Sequence, residues 1–458
     1  MSNSDKILGV VVLARHGDRQ GFYQDPITYN PSNTAITPLG NVQEFQLGQK
    51  LRSIYFNSSS PSFISGINTT VADETQLHVR ADGGGERGVI FNSAVSVLQG
   101  LFPATQAYNT TLANGTTVIG PLGGYQYVPI ESVEPDNDIS LEGWTSCGEF
   151  TNSNIAFYSS PAFKQKEADH ADFLKSLTPY VGGRNVSLQN MWNIYDFMNV
   201  ESIHDAKFQQ ALPLTFLEQA RDLANWHEYG IFSSPQLDGI GNIAGQAILP
   251  SILEGFASIT NSSDPIKFVY EAIAYKPFLS LFNMTGVAQQ NPELASIVNY
   301  AAVLALEVRQ PASGGPVIRF NFKNGTDANG TDSDFKTYNF LGESGDVPLS
   351  TFVSTLSTHA LQGLPAWCTV CQNQQDRGCG DLAAAKLLGM QAAESQSHRS
   401  VSPVAAGFIG AAVTLVFLAI VLFFLSLLGL FTFNKRSTKA RKTNSKAGSD
   451  INSLEYKA

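Results

Sequence analysis

Cysteine is scarce in this sequence: Cys147, Cys368, Cys371 and Cys379 are the only four in 458 residues. The last three have no histidine or fourth cysteine beside them, so the spacing of a zinc site is missing. An even count suits two disulfides in an oxidising compartment, with three connectivities open. Basic charge is short as well. The chain carries a net −10, yet residues 434–458 hold seven Lys/Arg against Asp450 and Glu455, which leaves −15 for residues 1–433. A body that acidic repels the phosphates of nucleic acid, so no such partner is expected. Any phosphate it binds needs a local arginine cluster. No internal repeat is present, and no signal peptide is evident. The apolar residues 7–14 number eight and run straight into Arg15-His16-Gly17. Either a short segment precedes Met1, or the apolar C-terminal helix is the sole insertion signal, which would leave the domain in the cytosol.

Charge is absent altogether between Arg399 and Lys435. Within that gap residues 404–433 are almost wholly Ala, Val, Ile, Leu, Phe and Gly. A helix of that length, at about 1.5 Å per residue, exceeds the ~30 Å hydrocarbon core of a bilayer, so one transmembrane helix is expected. Lys435, Arg436, Lys439, Arg441 and Lys442 follow at once and place the 434–458 tail in the cytoplasm. The larger part then faces the exterior or a lumen. Nine N-x-S/T sequons agree with that side: Asn57, Asn68, Asn109, Asn114, Asn185, Asn261, Asn283, Asn324 and Asn329. The resulting plan is an ectodomain of residues 1–390 with an insert over about 104–235, a polar stalk 391–403, the membrane helix and the tail.

A hydrophobic content of 43% and 39 glycines are those of a globular chain. Residues 7–13 are a short β-branched run, the mark of a core strand in a parallel sheet. Residues 38–55 carry Leu39, Val42, Phe45, Leu47, Leu51 and Ile54 at helical spacing, with Thr37 as N-cap. A second helix is expected over residues 89–101, and turns over 104–143. Helical patterns dominate from about residue 153 to 281. Strand-like runs follow at 302–308 and 317–322. Strand–helix alternation at both ends, with helices between, implies an α/β core carrying a helical cap.

The chemistry concentrates in Arg15-His16-Gly17-Asp18-Arg19, directly after the first strand, where α/β sheets place ligands. Two arginines can clamp phosphate oxygens while the histidine between them accepts the phosphoryl group covalently. This run resembles the R-H-G-x-R signature of the histidine phosphatase superfamily, acid phosphatase and phytase branch. Thr37, Gly40, Gln43, Leu47 and Gly48 resemble that family's second block. Arg87, Ser93-Ala94 and the run from Gly100 to Pro103 resemble its third, and residues 241–249 its helix before the second catalytic motif. The resemblance spans roughly residues 7–380. It implies an α/β fold of phosphoglycerate-mutase type: a mixed sheet flanked by helices, with a helical cap insert and here one C-terminal transmembrane helix.

The resemblance further implies His16 as nucleophile and Arg15, Arg19 and a third arginine as phosphate ligands. Arg87 is the expected third, with Arg80 its rival because Gly83-Gly84-Gly85 alters the usual spacing. No metal or cofactor is implied. The family's His-Asp pair, which binds phosphate and protonates the leaving oxygen, falls on Ala274 and Tyr275. Neither replaces its counterpart: alanine donates nothing, and a phenol of pKa about 10 is a poor acid. Lys276 is a positive charge whose reach is left open. Glu86 and Asp82, beside the glycines, are the candidate proton donors, since a glutamate plays that part in the mutase branch. His204-Asp205 lies in the helical insert, and His204 and His227 read as structural or solvated. The expected function is a membrane-anchored acid phosphatase acting on a small phosphorylated substrate through phosphohistidine. The alternative is a pseudo-phosphatase that binds a phosphorylated ligand without turnover.

Overall fold

The structure, a computed structural model, describes residues 5–86, 88–327, 330–397 and 403–427. Met1–Ala385 forms one compact unit and Lys386–Ala458 a second. In the first, ten strands are described: β1 (Lys6–Arg15), β2 (Leu77–Asp82), β3 (Asn109–Thr111), β4 (Thr117–Ile119), β5 (Glu131–Val133), β6 (Phe268–Ile273), β7 (Val303–Gln310), β8 (Val317–Lys323), β9 (Lys336–Tyr338) and β10 (Val347–Pro348). Eight make one mixed sheet in the order β10-β8-β7-β1-β6-β2-β5, with β9 on β8, while β3 and β4 form a separate hairpin. β1 is central, parallel to β6 from Val10↔Phe268 to Arg15↔Ile273 and antiparallel to β7.

β1 is buried on both faces, and its residues sort by the two-residue period of a strand. Val11 and Leu13 pack into one apolar layer with helix Ile243–Thr260. Val10, Val12 and Ala14 pack into the other, with helices Pro38–Tyr55 and Gly88–Leu101. Thr37 is the N-cap of Pro38–Tyr55, its Oγ1 accepting from Gly40 N at 3.1 Å. Glycine permits two close approaches in this layer. A Cβ on Gly48 would meet Val97 O at 2.0 Å, where the helices cross, and one on Gly17 would meet Gly40 O at 2.4 Å. The loop after β1 therefore rests directly on the start of the helix.

One expectation needs correction. β6 is a strand inside the region read as helical: all six of its residues are buried, so no alternation betrays it. The expected polar stalk begins as helix, since Cys379–Ser397 is continuous; residues 398–402 lie outside the described residues. The four cysteines pair as Cys147–Cys371 and Cys368–Cys379. Among the sequons, Asn283 has its amide committed, donating to Ser234 O and Asn242 Oδ1, and Asn329 lies outside the described residues. Gly143–Ile231 bears the helices of the insert; the longest are Met191–His204 and Phe216–Ile231. In the second unit Pro403–Leu427 is one apolar helix, and the remainder of the 404–433 span and the 434–458 tail lie outside the described residues. Ile240–Thr260 is also long and apolar enough to cross a membrane, but it is a largely buried core helix.

Candidate active site

β1, β6 and β2 are parallel neighbours, so their C-terminal ends share one edge of the sheet. Beyond that edge lie His16, then Ala274, Tyr275 and Lys276, then Gly83-Gly84-Gly85-Glu86. His16 is fully buried. Its Nδ1 stands 2.8 Å from the Gly17 carbonyl. A carbonyl only accepts, so Nδ1 carries a hydrogen and Nε2 is the nitrogen turned to the site.

Nε2 faces a carboxylate: Glu86 Oε2 lies 2.9 Å away. The same oxygen accepts from Arg19 Nε at 3.1 Å, and Oε1 lies 3.9 Å from Lys276 Nζ. Burial alone would raise the Glu86 pKa, but His16, Arg19 and Lys276 together hold it well below the usual carboxylate range. Arg19, also fully buried, is fixed from behind by Asp196, with Nη2 to Oδ1 at 2.8 Å and Nη1 to Oδ2 at 3.2 Å. That bidentate pair leaves Nε as the edge offered to an anion. Arg15 donates Nη1 to the Val298 carbonyl and lies over the rings of Tyr300, at 4.7 Å, and Tyr275, at 5.4 Å.

Asp82 ends β2 and lines the same small cavity as Glu86, Glu142, Trp144, Ala274 and Lys276. Burial, and next the Glu142 carboxylate, push its pKa well above the usual range. The two candidate carboxyl groups are thus shifted in opposite directions. The cavity is only ≈ 10 Å³, about the room of one water. Tyr275 cannot serve as acid: its hydroxyl donates to Glu228 Oε2 at 2.6 Å, and burial and Glu228 raise its pKa well above 10.

Arg80 is not at this edge. It is held by Glu131 at 3.2 Å, Asp138 at 2.6 Å and Ser251 at 2.8 Å, with Glu271 at 3.7 Å, beside a separate cavity of ≈ 490 Å³. So many carboxylates leave it no charge to spend on phosphate, which corrects its placing as a phosphate ligand. Arg87, the other expected third arginine, lies outside the described residues. His204 is not merely solvated: its Nε2 sits 2.8 Å from Asp18 Oδ2, tying the insert to the motif. Asp196, Tyr300 and Glu228 were not singled out by the sequence, and no local pattern marks them. Among the described residues no group of three or more His, Cys, Asp or Glu could hold a metal ion.

A strand-end histidine between two arginines, on a mixed sheet covered by helices, defines the class of a histidine phosphatase. The comparisons agree. The chain is 24% identical to the lysosomal acid phosphatase of Rattus norvegicus over 331 residues, 69% of this chain and 70% of that protein. It is 24% identical to the prostatic acid phosphatase of Bos taurus over 271 residues, 57% of this chain and 64% of that one. Its fold is similar to that of the phytase of Citrobacter braakii, with a TM-score of 0.54 at 12% identity, over 79% of this chain and 99% of the phytase. No family model matches the chain. These likenesses support the histidine acid phosphatase branch of the histidine phosphatase superfamily.

Proposed function

We propose that the chain is a phosphoric monoester hydrolase of the acid phosphatase kind, anchored by its apolar C-terminal helix with the catalytic unit on the luminal or extracellular side. His16 Nε2 attacks phosphorus, Arg19 and Arg15 hold the phosphoryl oxygens, and the bond to the leaving oxygen breaks. Asp82 gives that oxygen its proton, because it is the carboxyl whose pKa is raised at this edge. Water then attacks the phosphohistidine, passing one proton back to the Asp82 carboxylate, and the P–N bond breaks to return neutral His16 and release phosphate. The observation that carries this reading is the orientation of His16: Nδ1–H anchored on Gly17 O turns Nε2 toward Glu86 and Arg19, and Nε2 attacks once it has given up the proton with which it meets Glu86. The test is turnover of a phosphate monoester by the purified full-length chain, wild type against His16→Ala.

A second reading keeps binding without turnover. Ala274 and Tyr275, where the family places His and Asp, favour it, as does the closure of the site around a fully buried His16. The same assay separates the two, since a binding module turns over neither aryl nor alkyl phosphate. The topology has its own test. Enzymatic deglycosylation of the native protein should shift its mobility, and two disulfides should leave no free thiol.

A further inference from the structure

At the catalytic edge the position facing His16 Nε2 is filled by a side chain of the protein itself. Glu86 Oε2 lies 2.9 Å from His16 Nε2 and 3.1 Å from Arg19 Nε, while Oε1 lies 3.9 Å from Lys276 Nζ. A carboxylate is a planar anion with two oxygens, so in charge and hydrogen bonding it stands in for two oxygens of a phosphoryl group. Its three partners are a nucleophile, a clamp arginine fixed by Asp196, and a lysine that no other described carboxylate pairs with. The Lys276 ammonium also lies over two aromatic faces, 5.2 Å over Trp144 and 4.9 Å over Tyr275, with Glu142, Glu228 and Asp82 acting on it from further off. An ammonium enclosed in this way, 4% exposed, is costly unless an anion meets it.

We propose that the phosphoryl group of the substrate binds where the Glu86 carboxylate now sits, in exchange with it, and that Lys276 is its third cation. Lys276 then does the phosphate-binding part of the histidine that Ala274 replaces. Ala274 lines the cavity and contributes nothing beyond Cβ, while Lys276 reaches the anion from two positions further along the chain. Glu86 is a built-in competitor, and the free enzyme is closed because its own anion holds the site. The exchange is a swing of the Glu86 side chain, since the backbone of Gly83-Gly84-Gly85 before it is held by Val133 O, Asp82 Oδ1 and Glu142 Oε2. The inference rests on the phosphatase reading for the nature of the ligand, but not for the geometry.

The test is sulfate binding by the full-length chain, measured calorimetrically near pH 6, with sulfate as a phosphate mimic that carries no ester bond to hydrolyse. Glu86→Gln should bind sulfate at least about tenfold more tightly than wild type, because an anion no longer competes, and Glu86→Asp, one methylene short of His16, should do the same in part. Lys276→Met should bind it at least about tenfold more weakly, and Lys276→Arg should recover part of the loss. The two expected shifts have opposite signs, and a misfolded variant cannot bind more tightly. Unchanged or weaker binding by both Glu86 variants, or full affinity in Lys276→Met, overturns the inference. Should sulfate follow the expected pattern while no phosphate ester turns over, the exchange stands and the hydrolase reading falls. Should turnover depend on His16 while none of these variants moves sulfate affinity, the exchange alone falls.

Discussion

Two strand ends meet at the catalytic edge, and they have fared differently. After β1 the motif from Arg15 to Arg19 is complete and three of its side chains are held in place: His16 anchored on Gly17 O, Arg19 clamped by Asp196, Asp18 tied to His204. After β6 the residues that should bind phosphate and protonate the leaving group are Ala274 and Tyr275, and Tyr275 is turned into a buried hydrogen bond with Glu228. On the proposed reading the nucleophilic half of the site keeps the full motif, and the leaving-group half is supplied from β2 and Lys276. The lesson is that the two halves of the chemistry need not change together. A nucleophile needs one particular nitrogen at one place, whereas a proton or a positive charge can come from any side chain that reaches.

The sharpest way to break this comparison is at β1. His16→Ala should lower phosphatase activity by roughly 10³-fold or more, and retention of a tenth of the wild-type rate would move the chemistry elsewhere. The rebuilt half comes next. Asp82→Asn should lower turnover of an alkyl phosphate by roughly 10²-fold while leaving an aryl phosphate, whose leaving group needs little help, nearly unchanged. The sign follows from its raised pKa: Asp82 is protonated and active below that pKa, so the alkyl-ester rate falls as pH rises through it, and Asp82→Asn should lack that basic limb. An unchanged ratio of the two esters would remove Asp82 from the role. A smaller effect is expected behind the clamp. Asp196→Asn should weaken kcat/KM by about tenfold by loosening Arg19, with His16 still reactive.

A separate effect, on stability and not on turnover, distinguishes the catalytic edge from the cavity around Arg80. Burial raises Glu271 to about 7, against the pull of Arg80. A carboxyl raised in the folded state favours folding most below its ordinary pKa of 4.5, and that contribution is lost as pH climbs through about 7. Stability should therefore fall between pH 5 and 8 by up to roughly 3 kcal/mol from this group, and Glu271→Gln should flatten that slope in denaturant melts. A slope equal in both proteins would assign it to other groups.

Much of the fold was legible because its signals are local. β1 is a β-branched run, Thr37 is a cap with the expected hydrogen bond, and Pro38–Tyr55 has its apolar face at helical spacing. β6 was not, because a strand covered on both faces has no polar positions to set its period. At the site, His16 and its two arginines were visible as neighbours in sequence. Arg80 was misplaced for an instructive reason. It shares β2 with Asp82, yet one pleat repeat along the strand sets it among Glu131, Asp138 and Glu271 and away from His16.

By itself the sequence pointed to His16 as nucleophile, to the arginines beside it, to Ala274 and Tyr275 where a His-Asp pair was expected, and to the apolar C-terminal helix. Each is a property of residue types at short spacing, and short-range spacing survives in any fold compatible with it. Only the tertiary structure decided that Asp196, 177 residues from Arg19, locks the clamp, that Lys276 reaches Glu86, and that the pKa of Asp82 is pushed up while that of Glu86 is held down. These depend on which charges burial brings within a few ångströms of one another. Coulomb energy in a poorly screened interior is set by distance in space, to which distance along the chain is no guide.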